Sequence, residues 1–231
     1  SLMTKWLVSI FWLAAIVVIS WISIDRIPPQ HNPFEPLSID HPLGLATRGK
    51  LAHFKREPDN CFGFLDLNEI DYTRKKDSEP GQDCGLYNAL VLDQSLLPYS
   101  GTLTMTCPLT SGLVLLERQS LVLRAKEHFE SPLAQVLSYG THNCRRMYGR
   151  DTGKFSEHAT ANAIDIRGFV LADGTRITLK SDWGNDSDAG RFLKDVRNDA
   201  CKIFGTVLGP DYNDAHADHF HLDMSQTGVC D

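Results

Sequence analysis

The chain has 231 residues, 42% of them hydrophobic, and a formal net charge of −6. That length allows one medium domain with appendages, and that composition supports a packed core. An acidic balance of this kind argues against a nucleic-acid binder, so no nucleic-acid partner is expected.

The first predicted element is a membrane span. Trp6 to Ile24 is nineteen residues without a charge, long enough to cross a hydrocarbon core as a helix. Trp6 and Trp21 sit near its two ends, where interfacial aromatics belong. A cleavable signal peptide is the rival reading, but its apolar part is shorter and ends at a small-residue site. We therefore read residues 1–26 as an uncleaved, single-pass inner-membrane anchor. Residues 27–44 hold five of the eleven prolines and are expected to act as a stiff linker. Fully extended, it would reach roughly 50 Å.

Six cysteines follow the span, at 61, 84, 107, 144, 201 and 230, with no CxxC pair. An even number in an exported chain reads as three disulfides, so the C-terminal part is placed in the periplasm. Fifteen pairings are open.

Residues 45–231 read as one domain. Residues 45–110 are expected to be irregular, with short helices and three of the cysteines. Residues 111–231 carry the clearer pattern. "SGLVLLERQSLVLRAKEHFE" has helical apolar spacing. "AIDIRGFVLADGTRITL" predicts a β-hairpin about Asp173-Gly174. Ser187 reads as the cap of a helix whose apolar face is Ala189, Phe192, Leu193, Val196, Ala200, Ile203 and Phe204, with Gly205 as its stop. "HFHLDM" reads as a final strand. The order predicts an α+β fold around a small antiparallel sheet.

Two motifs carry the chemistry, "SEHATANAIDI" at 156–166 and "HADHFHLD" at 216–223. Side chains alternate faces along a strand. Asp165 thus turns away from Ile164 and Ile166, and His219 and His221 turn away from Phe220 and Leu222. With the apolar faces on one core, Asp165, His219 and His221 emerge together, and His158 can fold back toward them. Two imidazoles and a carboxylate suit Zn²⁺, and three protein ligands leave a position open, as catalytic sites do. Taken singly, each motif reads more readily as structural, a hydrogen-bonded histidine or a capping aspartate, than as metal-binding; the pair together shifts the balance to metal.

The same stretches resemble known families. "SEHATANAIDI" resembles the Ser-x-His-(x)6-Asp signature of zinc D-alanyl-D-alanine peptidases and murein endopeptidases, which share the Hedgehog/DD-peptidase fold, and "DHFH" resembles their second signature. More closely, "CRRMYGR", "SEHATANAIDIRGFVLADG", "FGTVLGPDYN" and "HADHFHLDM" are similar to the bacterial extensin-like C-terminal domain family. "TRGKLAHF" with Cys61 and Cys84 is similar to that family's earlier part.

The resemblance implies zinc on His158, Asp165 and His221, with Ser156 supporting the His158 loop and Ala161 where the peptidases have glycine. It implies that Arg145 holds a substrate carbonyl or carboxylate. Both Asp218 and His219 are candidates here, Asp218 slightly ahead as the acid/base by its position and His219, on the correct strand face, as a transition-state or proton partner. His216 reads as a supporting or surface residue, Trp183 as core, and Tyr148 as a possible groove wall. The activity implied is a zinc hydrolase cleaving peptide stems or cross-links of peptidoglycan. The alternative is a non-catalytic zinc-containing module of the same fold that binds cell wall or protein.

Overall fold

The computed structural model describes residues 5–14, 18, 26–79, 81 and 83–231. Residues 5–14 and 18 are helical. The predicted span over 6–24 includes residues 15–17 and 19–24, which lie outside the described residues. Among the described residues no helix is long and apolar enough to cross a membrane.

The structure is α+β, with two small antiparallel sheets and several helices. Residues 45–110 are more ordered than the sequence suggested. They hold helices α1 (Thr47–Phe54) and α2 (Pro58–Leu67) and a sheet of β1 (Asp71–Arg74), β2 (Ala89–Gln94) and β3 (Leu103–Thr106), in that order. The sheet escaped the sequence pattern because β1, "DYTR", is almost wholly exposed and carries no apolar alternation.

Thr106 caps the next helix through its Oγ1, which accepts from the Leu109 amide. The helix runs as α3 (Cys107–Leu116), a π turn (Glu117–Leu121) and α4 (Val122–His128). α3 is buried on all sides, as expected of a helix apolar all round.

The second sheet is built on β5 (Ala163–Leu171), with β4 (Leu133–Gly140) along one edge. Two short strands share the other edge. β8 (Phe220–Asp223) pairs with residues 163–166 and β6 (Arg176–Thr178) with residues 168–170. Gly168 stands where β6 begins; a Cβ there would lie 2.4 Å from the Ile177 carbonyl oxygen, so only glycine fits. β7 (Thr206–Leu208) completes the order β4-β5-β8-β7.

Between β6 and β7 come a short turn of helix, α5 (Leu179–Asp182), and then α6 (Asp188–Ile203). Ser187 caps α6 through its Oγ and the Gly190 amide, as its position predicts. Phe192, Leu193, Val196, Ala200 and Ile203 are buried against the underside of the sheet with Ile164, Ile166, Phe169 and Phe220. Phe169 and Phe192 meet edge to face at 5.2 Å. The same core takes in Leu51, Phe62 and Leu65 of the N-terminal helices.

Three disulfides close the frame: Cys61–Cys107, Cys84–Cys144 and Cys201–Cys230. No cysteine is free.

The Pro-rich segment is not an extended spacer. Leu37, Ile39 and Leu43 pack against the core. The Ile39 carbonyl accepts from Gln119, the Pro29 carbonyl accepts from Lys50 Nζ, and the Ala46 amide donates to the Gln30 carbonyl. Proline prevents helix and central strand, but the apolar residues between the prolines still dock on the body.

Candidate metal centre

β5 and β8 run antiparallel with Asp165 and His221 as direct register partners. Ile164 and Leu222 lie buried on the other face, so the alternation read from sequence holds. His158 arrives on a 3₁₀ turn, Glu157–Thr160, just before β5. Ser156 Oγ accepts from the His158 amide at 3.3 Å. The turn ends on Ala161, which is buried and left-handed at φ 55°, ψ 30°. Glycine takes that conformation most easily, so the alanine is notable for its backbone hand rather than its size.

The three predicted ligands are brought together. Asp165 Oδ1 lies 3.1 Å from His158 Nε2 and 3.0 Å from His221 Nδ1, and the two nitrogens are 3.2 Å apart. Each ring is turned by a partner on its outer nitrogen. His158 Nδ1 donates to the Thr141 carbonyl at 3.0 Å. His221 Nε2 donates to Asp223 Oδ2 at 3.1 Å. Outer-nitrogen hydrogen bonds of this kind orient metal-ligating histidines and fix their tautomer. The inner atoms are then two nitrogen lone pairs and a carboxylate oxygen, aimed at one another and nearly buried. Such a meeting of acceptors calls for a cation. Burial pushes His221 down, but Asp165 and Asp223 outweigh it and raise its pKa to about 9. Burial alone would raise Asp165, yet the facing imidazoles of His158 and His221 hold it well below the usual carboxylate range. Two imidazole nitrogens and one carboxylate oxygen also fit Zn²⁺.

The other candidates lie around this centre in distinct roles. His219 precedes β8, and its Nε2 is 3.6 Å from Asp165 Oδ1. Its Nδ1 donates to Asp218 Oδ1 at 2.9 Å. Asp218 is held from a second side. Its Oδ2 accepts from the Tyr139 hydroxyl at 2.9 Å. His216 donates through Nδ1 to Asn213 Oδ1 at 2.8 Å, and its ring lies 5.3 Å from that of His219 and 5.9 Å from that of His221. Burial, then the neighbouring His219 and His221, lower its pKa to about 4. Arg145 is exposed at the rim, close enough to His216 to add to that lowering. Trp183 packs edge to face on Phe220 at 5.4 Å, a core role as read. Tyr148 is exposed.

Sequence reasoning missed Asp223, Thr141 and Tyr139. Asp223 was findable, since it continues the 219, 221 alternation. The Thr141 contact is a main-chain carbonyl, which no residue type announces. A second grouping, Glu127, His128 and Asp195, is less suited to a cation. His128 Nε2 is 2.7 Å from Asp195, and Glu127 is held by Arg124 at 2.8 Å.

No curated protein and no solved structure matches the chain. The family described as "Extensin-like protein C-terminus" matches residues 59–231, which include all six cysteines and every residue of the centre. By that match over most of its length, the chain belongs to the extensin-like protein C-terminus family.

Proposed function

We propose that the chain is a zinc-dependent hydrolase of the Hedgehog/DD-peptidase fold, cleaving peptide stems or cross-links of bacterial peptidoglycan in the periplasm, as a DD-carboxypeptidase or endopeptidase. The observation that carries the reading is the convergence of His158 Nε2, Asp165 Oδ1 and His221 Nδ1, each ring turned inward by an outer acceptor. The three disulfides support an oxidising compartment, and the hydrophobic N-terminal sequence supports attachment to the inner membrane.

His158, Asp165 and His221 would hold the ion. Bound there, Zn²⁺ supplies Lewis acidity, lowering the pKa of water and polarising a carbonyl. The placement of the two acid/base candidates favours His219 as the proton acceptor, since its Nε2 faces the centre. Asp218 then orients that ring through Nδ1 and is itself fixed by Tyr139. Arg145 at the rim is placed to hold a substrate carbonyl or carboxylate.

The test is metal analysis of the purified chain, followed by incubation with monomeric and cross-linked muropeptides read by mass spectrometry. Loss of a terminal D-alanine indicates a carboxypeptidase, and splitting of dimers an endopeptidase. No cleavage by the zinc-loaded chain, with binding to cell wall undiminished in His219→Ala, would replace the hydrolase with a non-catalytic binding module.

A further inference from the structure

The segment between the Thr141 carbonyl and Ser156 is a hairpin rooted in the centre at both ends. The Asn143 amide donates to the His158 carbonyl, and the Ser156 amide to the Arg145 carbonyl, both at 3.0 Å. Cys84–Cys144 ties its base to the N-terminal part of the domain. Arg146 and Phe155 pair across it, and the Met147 amide donates to the Lys154 carbonyl. Its tip lies against the 209–219 loop, where the Tyr148 hydroxyl interacts with that of Tyr212. Tyr212 in turn meets the His216 ring at 5.6 Å.

The hairpin carries Arg145, Arg146, Arg150 and Lys154 against one acid, Asp151. On a chain of net charge −6 that is a local reversal of sign. Among the described residues none of these four cations has a carboxylate within ion-pair distance. Arg146 is committed to the hairpin itself, donating to the Gly153 carbonyl and lying 4.1 Å over the Phe155 ring. Arg150 and Lys154 are exposed. Arg150 stands 5.5 Å over the Tyr148 ring.

Unpaired cations beside a site, on a protein otherwise acidic, concentrate anionic ligands there. A long polyanion would meet the repulsion of the rest of the surface, whereas a short one would meet only the hairpin. We propose that Arg150 and Lys154 form a carboxylate-reading arm of the site, so that the peptide bound there is an acidic one, with free carboxylates beyond the bond that is cut. The inference rests on the peptide reading of the centre and extends it to residues outside the metal and acid/base set.

The experiment measures binding by fluorescence anisotropy, with every variant in a His219→Ala background so that the probe is not consumed. One probe is a short peptide with two free side-chain carboxylates. The other is the same peptide with all its carboxylates amidated. The double reversal R150E/K154E is expected to weaken the acidic probe about tenfold or more and to flatten its salt dependence, as rim charges do. It is expected to leave the amidated probe within about twofold. R176E on β6 changes net charge away from the hairpin and is expected to change neither probe. The neutral pair R150Q/K154Q is expected to show a smaller loss with the same selectivity, and guards against disruption by the reversed charges. No binding of the acidic probe without the hairpin changes, an unchanged affinity in both hairpin variants, or equal losses for the two probes would overturn the proposal. Hairpin-dependent acidic binding in a chain that cuts no muropeptide would retain the arm and remove the hydrolase.

Discussion

Asp165 and His221 face each other across β5 and β8 as register partners, with Oδ1 and Nδ1 3.0 Å apart. The sheet itself therefore sets this half of the centre. Only the His158 turn has to be held separately, and Ser156, Thr141 and left-handed Ala161 hold it.

Metal binding should follow that hierarchy. His221→Ala and Asp165→Ala each remove a donor atom and are expected to abolish stoichiometric Zn²⁺ after mild chelation. Asp223→Asn keeps all three donors but loosens the ring of His221, and is expected to weaken affinity about 10–100-fold, the usual cost of losing such an outer partner. Competition with a chromophoric chelator measures both. Equal affinities for wild type and Asp223→Asn would mean that the His221 ring is not held through Asp223.

The acid/base assignment makes a graded prediction. His219→Ala should retain zinc and lose turnover on muropeptides by about 10²–10⁴-fold. Asp218→Asn should lose less, because it disturbs only the orientation of the ring. Tyr139→Phe should lose less still. A loss in Asp218→Asn exceeding that of His219→Ala would return the proton acceptor to Asp218.

A pH effect on stability is expected away from the centre. Glu117 is fully buried in the π turn and accepts from Ser95, Tyr99 and the Leu96 amide. Burial raises its pKa from 4.5 to about 7, and these hydrogen bonds restrain the rise. Between those values the folded state binds more protons than the unfolded one, so stability falls as pH rises. The contribution is whole below pH 4.5 and gone above about pH 7. It amounts to about 3 kcal/mol for a shift of this size. Denaturant melts of wild type and Glu117→Gln from pH 4 to 8 measure it. The variant should lack that slope.

The disulfides give a thiol count and an energy. Denatured, unreduced protein should show no free thiol. Cys201–Cys230 joins the end of α6 to the C-terminus across a sequence separation of 29. A Cys201→Ser/Cys230→Ser protein should lose about 3–4 kcal/mol in urea melts on the loop-closure estimate.

Much of the centre was legible because strand parity is a two-residue rule. Asp165, His219 and His221 follow from the positions of Ile164, Ile166, Phe220 and Leu222 alone, and α6 follows from its apolar stripe and Ser187. What escaped depends on partners far apart in the chain. Asp218 could be placed by position but not by direction, since its neighbour Tyr139 comes from β4. Ala161 could be judged by volume but not by φ. The β1–β3 sheet lies where short exposed strands leave no pattern.

The docking of residues 28–46 bears on where this protein can work. If the hydrophobic segment that precedes them is held in a membrane, no long tether separates bilayer and domain. The metal centre would then sweep only a thin layer next to the lipid, at a height set by the body of the protein rather than by slack chain. If the proposed action on peptidoglycan holds as well, wall material would have to come down to the centre, and newly made strands, still close to the membrane, would be met first.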